Sequence, residues 1–199
     1  MVGLCAVLGA GSLPEETAAW TRWGEDESHF AYSDERVELA LSAHDLLAGD
    51  QPAVDDDVFV WLWGDVYGHG SGDDYVPRDG PPDGGAAYCA RRYRESGLSF
   101  VEDLNGEFAL VVYDRSRRRL ALVTDRFATH PLYAVTPSDD TMVVASRVQA
   151  LPTHPEVEAA FDREFLHEYL SLRRVFGVET PLVGVRELPP ASVTEGDLT

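Results

Sequence analysis

Residues 107–147 confine the chain more than any other stretch. They read EFALVVYD, RSRRR, LALVTD, then PLYAV, TPSDD and MVVASR. Four short runs of Val, Leu, Ala and Tyr alternate with brief charged or polar turns. Connections this short cannot carry a parallel crossover, so three antiparallel strands or more are expected here. Two earlier segments carry the same signature. Residues 58–68, VFVWLWGDVYG, are β-branched and aromatic, and residues 37–43 form a further strand pattern. The chain opens on an apolar, β-permissive run, residues 1–8, closed by Gly9-Ala10-Gly11.

Helical spacing is confined to two segments. In AAYCARRYRESG, Ala86, Tyr88, Cys89 and Tyr93 share one side and Gly97 stops the helix, which makes Cys89 a small core-facing residue. Residues 162–173 predict a helix that starts near Asp162, with Phe165, Leu166, Tyr169 and Leu170 on one face. Residues 12–36 read as a loop with a short helix, LLAGDQP as a turn, residues 69–85 as a Gly/Pro/Asp loop and the tail RELPPASVTEGDLT as extended. Many short strands with about two helices predict an α+β domain of stacked layers, one domain over residues 1–199.

Charge restricts the partners. Thirty-five acids face 16 bases, every one an arginine, for a net charge of −19. Such a surface repels nucleic acid and anionic membranes, and its acids are dispersed rather than gathered in a tail. The composition resembles that of proteins from salt-loving organisms. Two cysteines make no disulfide framework, and no run reaches the length of a membrane helix or carries the basic start of a signal peptide. A soluble, cytoplasmic protein is expected. The six histidines lack metal-ligand spacing, so no metal and no cofactor is expected. GHGSGDD lacks the lysine and the following helix of a phosphate loop. DRSRRR reads as a solvated turn, with contact to an acidic partner surface as the alternative.

The run LNGEFALVVYDRSRRRLALVTDRFATHPLY resembles the amino-terminal class II glutaminase half of asparagine synthetases. GDQP, GDVYG, VASRVQALPTHPEV and GVRELPPAS resemble further segments of that half, in the same order. The resemblance implies an N-terminal-nucleophile hydrolase fold, an αββα sandwich of two antiparallel sheets with flanking helices. It also implies an ATP-dependent ligase half, which is expected to be absent from this chain and separately encoded. In the family, a cysteine exposed by methionine removal attacks glutamine with its own α-amine as base.

By that resemblance the chemistry is degenerate. Val2 stands at the nucleophile position, and valine has nothing to attack a carboxamide with. Cys5 is a poor substitute, because its nitrogen is locked in a peptide bond; it reads as a small residue within the first strand. The arginine that grips the glutamine carboxylate corresponds to Ala40, which removes the bidentate fork. The oxyanion asparagine corresponds to Trp63; Gly64 keeps a backbone donor, while loss of such a side-chain donor costs on the order of 10²–10³ in rate. Asp65 matches a family glutamate. Asp83 matches the aspartate that binds the glutamine amine, with a turn or N-cap role as the alternative. Asp125, Arg126 and Phe127 match a strand-end motif and are expected to support the sheets. The expectation is a glutaminase-like domain without glutaminase activity, a structural or regulatory partner of an ATP-dependent amide-forming ligase. The alternatives are an active amidotransferase supplying ammonia for asparagine synthesis, and a binding module using the emptied pocket. A homo-oligomer stays open.

Overall fold

The computed structural model describes residues 3–45, 49, 51–71, 74–78, 84–175 and 177–198. In chain order these form β1 (Gly3–Gly9), α1 (Glu15–Ala19), β2 (Glu27–Ser33), β3 (Val37–His44), β4 (Ala53–Asp55), β5 (Val58–Ser71), β6 (Asp74–Pro77), α2 (Gly84–Ser96), β7 (Leu104–Asp114), β8 (Arg119–Thr124), β9 (Tyr133–Ser138), β10 (Thr141–Ala145), α3 (Arg163–Leu172), β11 (Arg186–Glu187) and β12 (Val193–Asp197). One antiparallel sheet has the order β11-β9-β10-β1-β3-β2; the other has β12-β8-β7-β5-β4, with β6 paired to the far part of β5. No helix among the described residues is long and apolar enough to cross a membrane.

The period of two within each strand explains the layers. In β1, Leu4, Ala6 and Leu8 point at the second sheet, where they meet Phe59, Trp61, Trp63, Val111 and Tyr113. Cys5 and Val7 point the other way, under Ala150 and Leu151 of a 3-10 turn over residues 148–153. In β7, Val111 and Tyr113 face inward while Leu110 and Val112 face out under Ala86, Cys89, Ala90 and Tyr93 of α2. Both central strands are therefore buried on two faces, which is why their sequences read as continuous apolar runs rather than alternating ones. The result is the expected two-sheet sandwich with helical cover outside.

Five details depart from the sequence reading. Residues 27–33 form an edge strand rather than loop, held by pairing along β3 from Glu27–His44 to Ser33–Glu38, with only Phe30 and Tyr32 reaching the core. The segment 69–85 is not loop throughout: β5 runs to Ser71 and folds back on β6. The reversal placed at residues 136–140 is shorter, since β9 continues to Ser138. α3 forms as expected, with the Asp162 carboxylate accepting from the Glu164 and Phe165 amides (2.8 and 3.1 Å). Its apolar face, however, is covered only in part: Phe165 and Leu166 are half-buried, while Tyr169 is exposed and Leu170 is 75% exposed. The strand-end motif also divides. Asp125 is buried and accepts the amides of Phe108, Phe127 and Thr129, which ties β7 to the segment after β8. Arg126 and Phe127 are exposed and support no sheet by packing.

The arginine-rich turn between β7 and β8 is occupied by intrachain pairs. Arg115 meets Asp57, Arg117 meets Asp114 and Arg119 lies 3.7 Å from Asp197. Asp114 is the anchor. It is buried and accepts from Ser116 Oγ (2.8 Å), the Arg117 amide (2.9 Å) and Tyr93 Oη of α2 (3.1 Å). Burial alone would raise its pKa, but these donors and the Arg117 charge outweigh it and hold the carboxyl below the ordinary 3.8. A depressed folded pKa stabilises above the unfolded value and loses that contribution as pH falls through the folded one. Asp114→Asn is expected to lower unfolding free energy by a constant amount above about pH 5. The difference from wild type should shrink as pH drops below 3.8, in urea melts across that range.

Candidate functional site

β1 enters the first sheet at Gly3, packed tightly from the outside. An ideal Cβ on Gly3 would lie 2.8 Å from Ser146 Oγ and 3.2 Å from Thr21 Cα, so no larger residue fits without displacement. The Leu4 amide donates to Ser146 Oγ (2.9 Å), and the Ser146 amide donates back to the Leu4 carbonyl (2.7 Å). Opposite Gly3 on β3 lies Ser42, buried, with its Oγ 3.0 Å from Thr21 Oγ1 and 2.8 Å from His29 Nδ1. The strand start thus sits in a hydroxyl-lined seat of Thr21, Ser42 and Ser146. Sequence reasoning missed this seat, because its three members come from three separate segments. Beside it, the Arg147 guanidinium stacks on Trp23, 4.1 Å from the ring centre. Val2 lies outside the described residues.

Cys5 is two residues further in and 1% exposed. Burial pushes its thiol up to about 12, the Arg147 charge opposing only in part. It pairs directly with Ala40, so both residues share the outer face of the first sheet. Cys89 is likewise buried, its thiol pushed up to about 12, chiefly by burial.

Trp63, Gly64 and Asp65 lie on β5 of the other sheet. Gly64 has φ of +106°, and an ideal Cβ there would meet the Glu107 carbonyl at 2.0 Å and His130 Cδ2 at 2.7 Å. Only glycine tolerates both conditions. The Trp63 indole is buried in the inter-sheet core with its ring centre 4.6 Å from that of His130. Its Nε1 has no hydrogen-bond partner among the described residues. Burial holds His130 below the ordinary 6.5, with the Asp125 and Glu107 carboxylates opposing. Asp65 is engaged: its Oδ1 accepts from the Val66 amide (2.9 Å) and from Arg78 Nη2 (3.0 Å). Arg78 Nε donates to the Val66 carbonyl (2.7 Å), which fixes the guanidinium against the strand.

The structure therefore groups Trp63, Gly64 and Asp65 with His130 and Arg78, two residues for which the sequence held no separate signal. It sets Ala40 beside Cys5 instead. Asp83 lies outside the described residues. His69, weighed as part of a phosphate loop, is on a strand and bonded to Tyr88 Oη. No group of three or more His, Cys, Asp or Glu among the described residues could hold a metal ion.

With both thiols protonated and shielded, neither can act as a thiolate at neutral pH. Native protein treated with a thiol-specific disulfide reagent at about pH 8 should show no fast-reacting group, and both cysteines should react once urea unfolds the chain. A rapid stoichiometric reaction in the native state would contradict this burial.

Comparison with known proteins agrees with this architecture. The glutamine amidotransferase domain family matches residues 11–198. Asparagine synthetase [glutamine-hydrolyzing] 2 of Bacillus subtilis is 27% identical over 148 residues, 70% of this chain and 19% of that protein. Asparagine synthetase [glutamine-hydrolyzing] 3 of the same organism is 32% identical over 92 residues, 46% of this chain and 15% of the relative. The chain thus spans less than a fifth of the length of these relatives. Among solved structures, glutamine phosphoribosylpyrophosphate amidotransferase from B. subtilis superposes with a TM-score of 0.51, 13% identity, and coverage of 75% of this chain and 42% of that one. The two-sheet sandwich and a family match over nearly the whole chain lead to one conclusion: this chain belongs to the class II glutamine amidotransferase domains.

Proposed function

We propose that this is a glutamine amidotransferase domain of asparagine synthetase type without glutaminase activity. It serves as the structural or regulatory partner of an ATP-dependent amide-forming ligase. The observation that carries the reading is the state of the residues at the family's catalytic positions. Valine occupies position 2, alanine position 40 and tryptophan position 63. The only nearby thiol, Cys5, is buried, protonated and without a free amine. Trp63 packs its indole into the core against His130, and Asp65 is paired with Arg78. Nucleophile, carboxylate clamp and oxyanion side chain are absent together, and such groups act as a unit.

The partner role draws support from the surface. α3 lays Tyr169, Leu170 and Leu172 in the open, and Phe161 beside it is 67% exposed. A contiguous exposed apolar face of this kind suits a protein interface. The curated relatives carry more than four-fifths of their length beyond the matched region, and a ligase half of such size is the occupant we assign to this face. The setting we propose is the cytoplasm. The net charge of −19 fits a solvated acidic shell of the kind used in concentrated salt.

Purified protein incubated with glutamine is expected to release no glutamate or ammonia above background. Turnover that Cys5→Ala abolishes would overturn the silent reading and establish an active amidotransferase. For the partner role, an ATP-dependent ligase protein from the same cell should co-purify with wild type, and Leu170→Asp should weaken the association. Failure of that ligase to associate would count against the role.

A further inference from the structure

β2 is an open edge. It ends the order β11-β9-β10-β1-β3-β2, and among the described residues no strand pairs with its outer side. Its ladder with β3 runs without a register shift from Glu27–His44 to Ser33–Glu38. The bonds that flank this ladder fix its parity. The Asp34 amide donates to the Val37 carbonyl (3.0 Å), and the Asp45 amide donates to the Asp26 carbonyl (3.3 Å). Hydrogen-bonded pairs of an antiparallel ladder recur at every second residue. Ser28, Phe30 and Tyr32 therefore bond to β3, while Glu27, His29, Ala31 and Ser33 turn both N–H and C=O outward. The far side of β3 agrees. The Gly9 amide donates to the Arg36 carbonyl (2.7 Å), which assigns the bonds of Glu38, Ala40 and Ser42 to β1.

The other edge strands are blunted. β11 has two residues and β4 three. β6 has four residues and ends on Pro77. β12 carries Glu195 and Asp197 at exposed positions. Short length, proline and charge are the devices that keep an edge from pairing. β2 has none of them. It is seven residues long, free of proline and of bulges, and its core-facing side is Ser28, Phe30 and Tyr32. Its one acid, Glu27, accepts the Trp23 amide through Oε2 (3.0 Å).

The pattern of β2 is complementary to itself. Two antiparallel copies centred on Phe30 set Glu27 opposite Ser33 of the second copy and His29 opposite its Ala31, in both directions. Every outward N–H and C=O of β2 then exchanges a bond. A register centred on His29 or Ala31 would leave outward groups hanging past the end of the other strand. Phe30 faces its own copy at a non-hydrogen-bonded position, where side chains approach most closely, and Tyr32 faces Ser28. The Phe30 ring is half-buried against the inter-sheet layer, so the second ring covers its open side. No like charges meet within the strand. Just beyond it Asp26 comes opposite Asp34, and each copy carries a net charge of −19, so screening by salt governs the strength of the pair.

We propose that two copies of this chain join edge to edge through β2, in antiparallel register about Phe30, as a salt-promoted dimer. A two-fold axis uses each open edge on the other, so assembly stops at two copies. The contact involves neither α3 nor the catalytic positions and is independent of the function proposed above.

The test follows the full chain by analytical ultracentrifugation at a concentration on the order of 100 µM, in about 0.05 M and about 1 M potassium chloride. At high salt the mass should be twice that of the monomer, with no larger species, and at low salt the dissociation constant should rise at least about tenfold. Ala31→Pro removes an outward donor and no bond to β3, and Phe30 before it is already extended. That variant should stay monomeric at high salt with a native near-ultraviolet circular dichroism spectrum. Should it fail to fold, amide hydrogen exchange on wild type decides. At low salt the Ser28, Phe30 and Tyr32 amides should be protected and those of Glu27, His29, Ala31 and Ser33 should exchange fast; high salt should slow the second set about tenfold or more. The proposal is overturned if the chain stays monomeric at high salt, if lowering the salt does not weaken the dimer, if a folded Ala31→Pro still dimerises, or if the second set exchanges equally fast at both salts.

Discussion

The structure depends on β1 being buried on both of its faces. Between β10 and β3, it offers Leu4, Ala6 and Leu8 to the opposing sheet and Cys5 and Val7 to the outer cover, and none of these five side chains reaches water to any useful extent. A strand so placed can carry chemistry only where it emerges. That constraint decides the fate of the cysteine. Position 5 faces the cover over the first sheet, among Val143, Ala145 and Leu151, and a thiol there is a packing element. Its burial holds the proton on sulfur, and Arg147 is too weak a counterweight to release it.

The aromatic groups of β5 belong to the same logic. Phe59, Trp61 and Trp63 project from alternate positions into the inter-sheet layer, where Tyr32 and Tyr113 pack around the first two and His130 against the third. Continuing this aromatic row to position 63 extends the core to the end of the sandwich where β1 begins. Gly64 then turns the strand with a positive φ and lets Glu107 and His130 approach. The bulky indole at position 63 adds buried apolar area to the inter-sheet layer. At the other end of the layer Gly196 leaves room, so the same core is filled at one end and open at the other.

Much of the fold was legible in the sequence because it is written in short-range patterns. β7, β8 and β10 are continuous apolar runs between charged turns, α2 shows its inward side, and Asp162 announces a cap that its carboxylate indeed makes. β2 escaped because ESHFAYS has only two core-facing aromatics among polar residues, and pairing with β3 decides its structure. β6 escaped for a similar reason, being fully exposed and held by β5. The face of α3 misled in the opposite direction, since an apolar stripe signals burial without saying which molecule supplies the cover. Of the positions named by resemblance, Trp63, Gly64 and Asp65 are neighbours on β5, as their adjacency in sequence requires. Their neighbours His130 and Arg78, the hydroxyl seat around Gly3, and the notch at Gly196 are products of tertiary placement, and no local pattern encodes them.

The central proposal is that this chain lacks a nucleophile for a glutamine carbonyl carbon, with valine at position 2 and Cys5 buried. The most direct measurement is the intact mass of the protein after exposure to an electrophilic diazoketone analogue of glutamine, which alkylates a competent glutaminase nucleophile. The account predicts an unchanged mass. A single stoichiometric adduct mapped to the first five residues would contradict it.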